Sequence, residues 1–243
     1  MGPLRRQGLR QAACLLLAVA LMTGGVCLRR HVFGNPVRDE SQELMYFPSG
    51  RFLKQSAMGH TTTLADVAWL RAIQYYGHHR MTDKKYDMVG HIFDIITTLD
   101  PNFVHAYVFG AVVLSQDAGR PEEGLALLRK GMRANPDNWL LAFETGFIYY
   151  VILRDCESAG RYFALASRLP NAPDMTSRFA AFVQEKAGHT ETAFELWSEI
   201  ARATDNTFIK QMAEERMEKL REQLQKERSA AAAPERGRDS RVR

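Results

Sequence analysis

Histidine and cysteine are the residues in this sequence best suited to catalysis or metal binding, and their spacing indicates neither. His78 and His79 are adjacent in a polar segment, but a metal ion would need a third ligand near them. The HExxH and CxxC patterns are absent, and so are the phosphate-binding GxxxxGK[ST] loop, the dinucleotide-binding GxGxxG pattern and the GxSxG nucleophile pattern. We therefore expect no catalytic residue, no metal site and no cofactor.

The three cysteines are too dispersed to define a disulfide framework. Cys14 and Cys27 lie in or beside an apolar segment near the N-terminus, which leaves Cys156 alone in the remaining chain. One thiol cannot form a disulfide within its own domain, so cysteine usage does not identify the redox compartment. We expect Cys156 to be a packed and unreactive thiol.

The basic charge of the chain is concentrated at its two ends. The 243 residues are 46% hydrophobic and 25% charged, which is ordinary for a folded protein, and the net charge is +4. Arginines near each terminus supply much of this charge, whereas a nucleic-acid-binding protein would carry a clustered basic face. We expect no nucleic-acid partner.

The first 28 residues have the pattern of a membrane anchor. A basic tail (1–10) precedes 18 residues without charge (11–28), close to the shortest stretch that spans a bilayer, about 17 residues. We interpret 11–28 as an uncleaved transmembrane signal anchor. Alternatives are a cleaved signal peptide and a buried helix. The apolar side chains of the predicted anchor include Leu15, Leu16, Leu17, Val19 and Leu21.

The orientation of this anchor follows from the short tail before it. Such a tail usually stays in the cytoplasm, although the positive charges on the two sides are nearly balanced. The resulting prediction is a single-pass protein of the bacterial inner membrane, with the rest of the chain on the periplasmic side.

The middle of the chain repeats a helix-hairpin pattern every 34 or 35 residues. In 105–138, Pro121 suits the first turn of a second helix, and Pro136 ends that helix. Comparable residues recur in phase along the chain. They are prolines (Pro101, Pro136 and Pro170), small or β-branched residues (Val89, Gly124, Ala159 and Ala193) and bulky residues (Phe93, Leu128, Phe163 and Trp197). A single hairpin cannot bury its apolar face, so the repeats must stack.

This pattern resembles the tetratricopeptide repeat (TPR) family over roughly residues 64–206. The resemblance implies an all-α, right-handed solenoid of about four hairpins, here preceded by the transmembrane helix. We divide the rest of the chain into a linker (29–45), an N-terminal cap segment (46–62), the solenoid (63–206), a C-terminal capping helix (207–228) and a disordered tail (229–243). As an alternative, residues 46–58 could lie in the groove of the solenoid as a built-in peptide.

The resemblance also implies where a partner would bind. In TPR proteins the first helix of each repeat lines a concave groove, and the matching residues here are mostly apolar. A carboxylate clamp is absent, because Phe109, Val113 and Phe143 stand where polar groups would be needed. The expected partner-binding groove comprises Phe109, Val113, Gln116, Leu140, Phe143, Phe147, Tyr150 and Phe182. The same positions of the fourth repeat add Met175, Arg178, Glu185 and Lys186, and those of the first repeat add, less securely, Val67, Leu70 and Gln74.

The predicted function is non-enzymatic. An apolar groove would bind a peptide or an amphipathic helix of another protein. We expect a membrane-tethered scaffold or adaptor that recruits or assembles envelope proteins. The alternative is a permanent structural subunit of a secretion, pilus or transport machine, and a third possibility is a metal-binding or enzymatic protein.

Overall fold

The structure is a computed structural model that describes residues 22–25 and 49–232. Residues 22–25 form a short helical segment within one compact unit (Met1–Phe47), and the other described residues belong to a second unit (Pro48–Arg243). Over these two ranges the backbone contains helices, turns and bends but no strand. The predicted linker 29–45 and residues 233–243 of the predicted disordered tail lie outside the described residues.

Ten helices make up the described part of the second unit. Two of the α-helices, Val104–Val112 and Trp139–Ile148, continue directly into the π-helical segments Val113–Asp117 and Tyr149–Leu153. The α-helices are α1 Gly50–Ser56, α2 Thr61–Met81, α3 Val89–Leu99, α4 Val104–Val112, α5 Pro121–Ala134, α6 Trp139–Ile148, α7 Cys156–Arg168, α8 Met175–Ala187, α9 Thr190–Ala203 and α10 Thr207–Ala232.

Helices α2 to α9 form four consecutive hairpins. Within each pair (α2 with α3, α4 with α5, α6 with α7, α8 with α9) the two helices pack together, and each hairpin also contacts the next. Helix α10 packs on α9. The all-helical class predicted from the sequence is confirmed, and the arrangement is consistent with an α-solenoid.

The repeating small and bulky residues lie at the centres of these contacts. Phe93, Leu128, Phe163 and Trp197, one in the second helix of each hairpin, are all buried. The small residues one turn earlier allow close helix approach: a Cβ on Gly124 would stand 2.8 Å from the carbonyl oxygen of Ala111. In the third hairpin the glycine at the equivalent crossing is on the first helix. It is Gly146, and it faces Ala159 of the second helix.

The polar segment 78–85 predicts a long turn in the first hairpin, but the observed turn is shorter. Helix α2 begins at Thr61 and continues to Met81, so the first part of this segment is helical. The reason is that His79 faces inward: its ring packs on Tyr75, with centroids 4.3 Å apart, and its Nδ1 lies 2.5 Å from Asp83 Oδ1. Lys84 then reverses the chain in the left-handed backbone region.

The π-helical segments lengthen the first helices of the second and third hairpins. A π-turn inserts one residue into an α-helix without breaking it. After the segment Tyr149–Leu153, Arg154 adopts a left-handed conformation and Asp155 caps α7 by accepting a hydrogen bond of 2.9 Å from the Ser158 N–H. Helix α4 also ends in a π-helical segment, Val113–Asp117, but there Ala118 stays right-handed and Gly119 is the left-handed residue.

Both ends of the hairpin array are covered by a helix. Helix α1 packs on α3, with Gly50 against Ile95 and Thr98, so the described part of 46–58 contacts the second helix of the first hairpin. At the other end α10 continues to Ala232, four residues beyond the predicted end of the capping helix. Polar contacts between Thr190 and the residues Gln223 and Glu227 hold the distal part of α10 beside the start of α9.

The predicted membrane location is corrected by the structure. None of the helices within 22–25 and 49–232 is both long enough and apolar enough to cross a bilayer, which requires about 20 mostly apolar residues. Helix α2 has 21 residues but contains Asp66, Arg71 and Arg80, and α10 is rich in charge throughout. This finding contradicts the single-pass topology with a periplasmic solenoid. The predicted anchor residues Leu15, Leu16, Leu17, Val19 and Leu21 lie outside the described residues.

Candidate functional site

The first helices of the hairpins adjoin one another through aromatic contacts. Tyr76 on α2 meets Phe109 on α4, with ring centroids 5.3 Å apart. Tyr150, in the π-helical segment after α6, meets Phe182 on α8 at 6.1 Å. Helix α6 also contacts α4. We call the surface of α2, α4, α6 and α8 that carries the predicted groove residues the first-helix face.

Two of the predicted groove residues are part of the core. Val113 is 1% exposed and Phe143 is 7% exposed. The Phe143 ring packs against Phe163 and Phe179, with centroids 5.2 and 5.3 Å away. Phe143 therefore joins the third hairpin to the fourth and offers little surface to another molecule.

The other predicted groove residues keep part of their surface open. Phe109 contacts Trp69, Tyr76 and Phe93 and is still only half-buried. The half-buried members are Phe109, Leu140, Phe147, Tyr150 and Phe182, and Gln116 is exposed. The structure thus divides the predicted groove residues into a buried group and a group that is half-buried or exposed.

Helix α2 carries the most exposed apolar surface of the first-helix face. Val67 is 48% exposed, Leu70 61% and Ile73 37%. These residues are spaced by three and form one stripe, which we call the α2 stripe. The opposite side of α2, with Ala65 and Ala72, is buried. The groove positions derived from the sequence included Val67 and Leu70, and the same spacing of three could have added Ile73.

A second opening lies near the end of the array, between α8, α9 and α10. This α8–α10 cleft has a volume of about 360 Å³. Three of its lining residues, Met175, Arg178 and Phe182, are predicted groove positions. Helices α8, α9 and α10 contribute the others: Phe179, Trp197, Met212 and Arg216. The sequence does not indicate that Met212 and Arg216 line this cleft, because nothing in their local spacing shows that α10 turns back onto α9.

The polar groups of the α8–α10 cleft are only partly paired. Arg216 donates a hydrogen bond of 2.9 Å to Glu185 Oε1. Glu185 Oε2 and Trp197 Nε1 are buried, and neither has a hydrogen-bond partner among residues 49–232. Within the same range no carboxylate forms an ion pair with Arg178. The cleft therefore has spare donors beside an apolar wall.

The adjacent histidines do not form a ligand cluster. His78 is exposed, whereas His79 is buried and hydrogen-bonds to Asp83. The bond from His79 is the main cause that lowers the pKa of the Asp83 carboxyl. Across the described part of the chain, no three histidine, cysteine or acidic side chains are grouped closely enough to hold a metal ion.

Comparisons with known proteins find similarity among solved structures. No protein-family profile matches the chain, and no curated protein matches it in sequence. Among solved structures, the chain is similar to the crystal structure of yeast Tom70, with a TM-score of 0.37 and 14% sequence identity. The match covers 72% of this chain and 43% of Tom70, so the chain spans less than half of that protein's length. The proposals below rest on the residues of this chain alone.

Proposed function

We propose that this chain is a non-enzymatic protein-interaction scaffold. In this proposal α2 to α9 form a right-handed solenoid of four TPR-like hairpins, α10 caps it, and the first-helix face binds a segment of another protein. The observation that carries the proposal is the α2 stripe, in which Val67 and Leu70 are exposed at positions that the repeat pattern assigns to a binding groove.

Within residues 49–232, the α2 stripe takes no part in the buried core. The alanines on the opposite side of α2 already provide the contact with α3, so polar residues at Val67 and Leu70 would leave the hairpin intact. Three neighbouring apolar side chains in water are unfavourable, because burial of apolar surface stabilises by about 25 cal/mol per Å². A partner helix or extended peptide that covers the stripe would recover this free energy.

The half-buried aromatic residues extend this surface beyond α2. Phe109 lies next to Tyr76 of α2, and Tyr150 and Phe182 continue the face toward the last hairpin. Aromatic residues with one open side are well suited to binding, since they bury a large area with few rotatable bonds. We therefore infer that a bound segment would run along the first helices, with its strongest apolar contacts at α2.

The test compares two leucines of similar exposure. Leu70 is on the α2 stripe, whereas Leu165, 44% exposed, is on α7, a second helix outside the first-helix face. We expect Leu70→Glu to abolish partner capture from a lysate of the source cells and Leu165→Glu to leave it intact. Both substitutions should change the free energy of unfolding by no more than about 0.5 kcal/mol, as is usual for surface positions.

Two results would contradict the proposal. Capture that persists in Leu70→Glu would show that the partner does not need the α2 stripe. Equal loss in Leu70→Glu and Leu165→Glu would show that capture depends on general surface hydrophobicity. Thermal unfolding of each variant, followed by circular dichroism, verifies that the helices remain folded.

A further inference from the structure

The α2 stripe lies beside an opening whose chemistry indicates what the partner carries. This opening, between α2, α4 and α6, has a volume of about 560 Å³, and we call it the α2–α6 opening. We propose that it receives an arginine side chain of the bound segment, whose neighbouring apolar side chains cover the α2 stripe. The inference rests on the proposed function and deepens it, because it names one residue type that the partner must carry.

Asp66 connects the opening to the α2 stripe. Its side chain lines the opening, and Leu70 lies one helical turn further along α2. Trp69, three positions from Asp66, contacts Phe103, which also lines the opening, with ring centroids 5.2 Å apart. A segment that covers Leu70 can therefore place a neighbouring side chain in the opening.

The opening carries two acidic side chains without basic partners. Asp66 is exposed and Asp100 is half-buried, and neither forms an ion pair within residues 49–232. Asp100 Oδ1 accepts a hydrogen bond of 2.9 Å from the Asn102 N–H. Among the described residues that line the opening there is no lysine or arginine. Both carboxylates are therefore available to a cation from another molecule.

The positive groups at the opening do not cancel the two carboxylates. Helices α4 and α6 begin here, and the positive end of a helix is equivalent to about half an elementary charge. Asn138 already accepts a hydrogen bond of 3.1 Å from the Leu140 N–H at the start of α6. His105 also lines the opening, and histidine side chains are mostly neutral above about pH 7. The balance therefore stays negative and favours a cation over an anion.

The walls of the opening favour arginine among the possible cations. Phe103 and Trp139 line it, and both side chains are half-buried, so each keeps some accessible surface. A guanidinium group stacks on aromatic rings and forms paired hydrogen bonds with carboxylates, whereas a lysine ammonium is a compact and strongly hydrated charge. The opening offers both kinds of contact, so arginine should bind more tightly than lysine.

Three peptides test the charge and the shape of this side chain separately. Each is acetyl-Leu-Ala-Leu-Ala-X-amide, in which the leucines and X share one face when the peptide is extended. Position X is arginine, lysine or citrulline, and citrulline has nearly the shape of arginine without its charge. At pH 8 and low salt the arginine peptide should bind about fivefold more tightly than the citrulline peptide, as expected at the upper end for an accessible ion pair. It should also bind more tightly than the lysine peptide.

The readout is the indole region of the ¹⁵N–¹H spectrum of the full-length chain. The sequence contains three tryptophans, and the Trp139→Phe variant assigns the signal of the one that lines the opening. The arginine peptide should shift the Trp139 signal until it saturates. The Trp197 signal is the internal control and should not change, because Trp197 is buried in α9.

Substitutions test the carboxylate separately from the fold. Asp66→Asn keeps the shape of the side chain and should weaken the arginine peptide about threefold, while the affinity of the citrulline peptide stays the same. Asp205→Asn removes the same charge from the exposed turn between α9 and α10 and should leave binding unchanged. Thermal unfolding of both variants verifies the fold. If Trp139→Phe does not fold, peptide affinities measured by calorimetry still decide the matter.

Several outcomes would overturn the inference. These are no binding of the arginine peptide, equal affinity for the arginine peptide and either of the other two, and equal binding by Asp66→Asn and the parent chain. Arginine-specific binding combined with partner capture that persists in Leu70→Glu would refute the proposed use of the α2 stripe but not the arginine site. Leu70-dependent capture combined with equal affinity for the arginine and citrulline peptides would refute the arginine site alone.

Discussion

Replacing Gly124 by alanine tests whether close helix approach sets the geometry of the second hairpin. Gly124 is in α5, where it faces Ala111 of α4 and Ser115 of the π-helical segment that follows α4. An added Cβ would lie 2.8 Å from the Ala111 carbonyl oxygen, about 0.6 Å shorter than the 3.4 Å at which ordinary contacts begin. The Ser115 hydroxyl can rotate away from the new methyl group, but the Ala111 carbonyl belongs to the backbone of α4. One of the two helices must therefore move.

The expected cost follows from two opposing effects. Overpacking of a tight core costs about 1–3 kcal/mol, and contact with backbone places Gly124→Ala in the upper part of that range. Alanine is intrinsically better than glycine in a helix by about 1 kcal/mol, which offsets part of the cost. We expect a net loss of about 1–2 kcal/mol, or a melting temperature lower by about 2–8 °C for a chain of this size.

Gly77 provides the matched control. It is in α2, and an added Cβ there would meet no atom within 4 Å. Gly77→Ala should therefore show the propensity gain alone, about 0.5–1 kcal/mol of added stability. Urea denaturation and thermal melting of both variants, followed by circular dichroism at 222 nm, give the two free energies.

The third hairpin suggests a compensating change. There alanine occupies the position equivalent to Gly124, as Ala159, and glycine faces it, as Gly146. Adding Ala111→Gly to Gly124→Ala should therefore recover part of the lost stability. If Gly124→Ala is as stable as the parent chain, or if it gains as much as Gly77→Ala, close helix approach does not control this hairpin and the reasoning fails.

Two further predictions concern charged side chains. Burial raises the pKa of Glu144, so the native state binds this proton more tightly than the unfolded chain does, and it loses stability as pH rises from the unfolded-state pKa through the native pKa. Glu144→Gln should therefore be more stable than the parent chain at pH 7.5, with the difference vanishing below about pH 4. Chemical denaturation at both pH values measures this, and an equal difference at both would contradict it. Lys130→Met should cost about 1–2 kcal/mol in urea denaturation, because Lys130 Nζ donates to Asp94 Oδ1 (2.7 Å), Thr97 Oγ1 (2.9 Å) and Thr98 Oγ1 (2.8 Å) of the preceding hairpin. An unchanged midpoint would show that these bonds only replace equivalent bonds to water.

The second helices were the most predictable elements of the fold. In α5, α7 and α9 apolar residues occupy one side and polar residues the other, so the helical period alone indicates which side is buried. Leu128, Phe163 and Trp197 were expected to face inward and do so. Proline at the first position of α5 and an aspartate cap before α7 also set helix ends through local chemistry.

The first helices could not be oriented in the same way. Helix α2 is apolar on both sides, with small alanines on one and larger residues such as Leu70 on the other, so its period does not distinguish core from surface. Packing decided the outcome: the small side allowed the closer approach to α3, and Leu70 remained outside. Phe143 shows the opposite result, because the Phe163 and Phe179 rings enclose it.

The sequence by itself determined the all-helical class, the hairpin period and the small and bulky residues at each crossing, since these depend on local propensity and spacing. Only the tertiary structure decided which apolar residues stay accessible, because that depends on contacts between helices far apart in the chain. The α8–α10 cleft is the clearest case: Arg178 and Arg216 are 38 positions apart and share one opening only because α10 packs on α9.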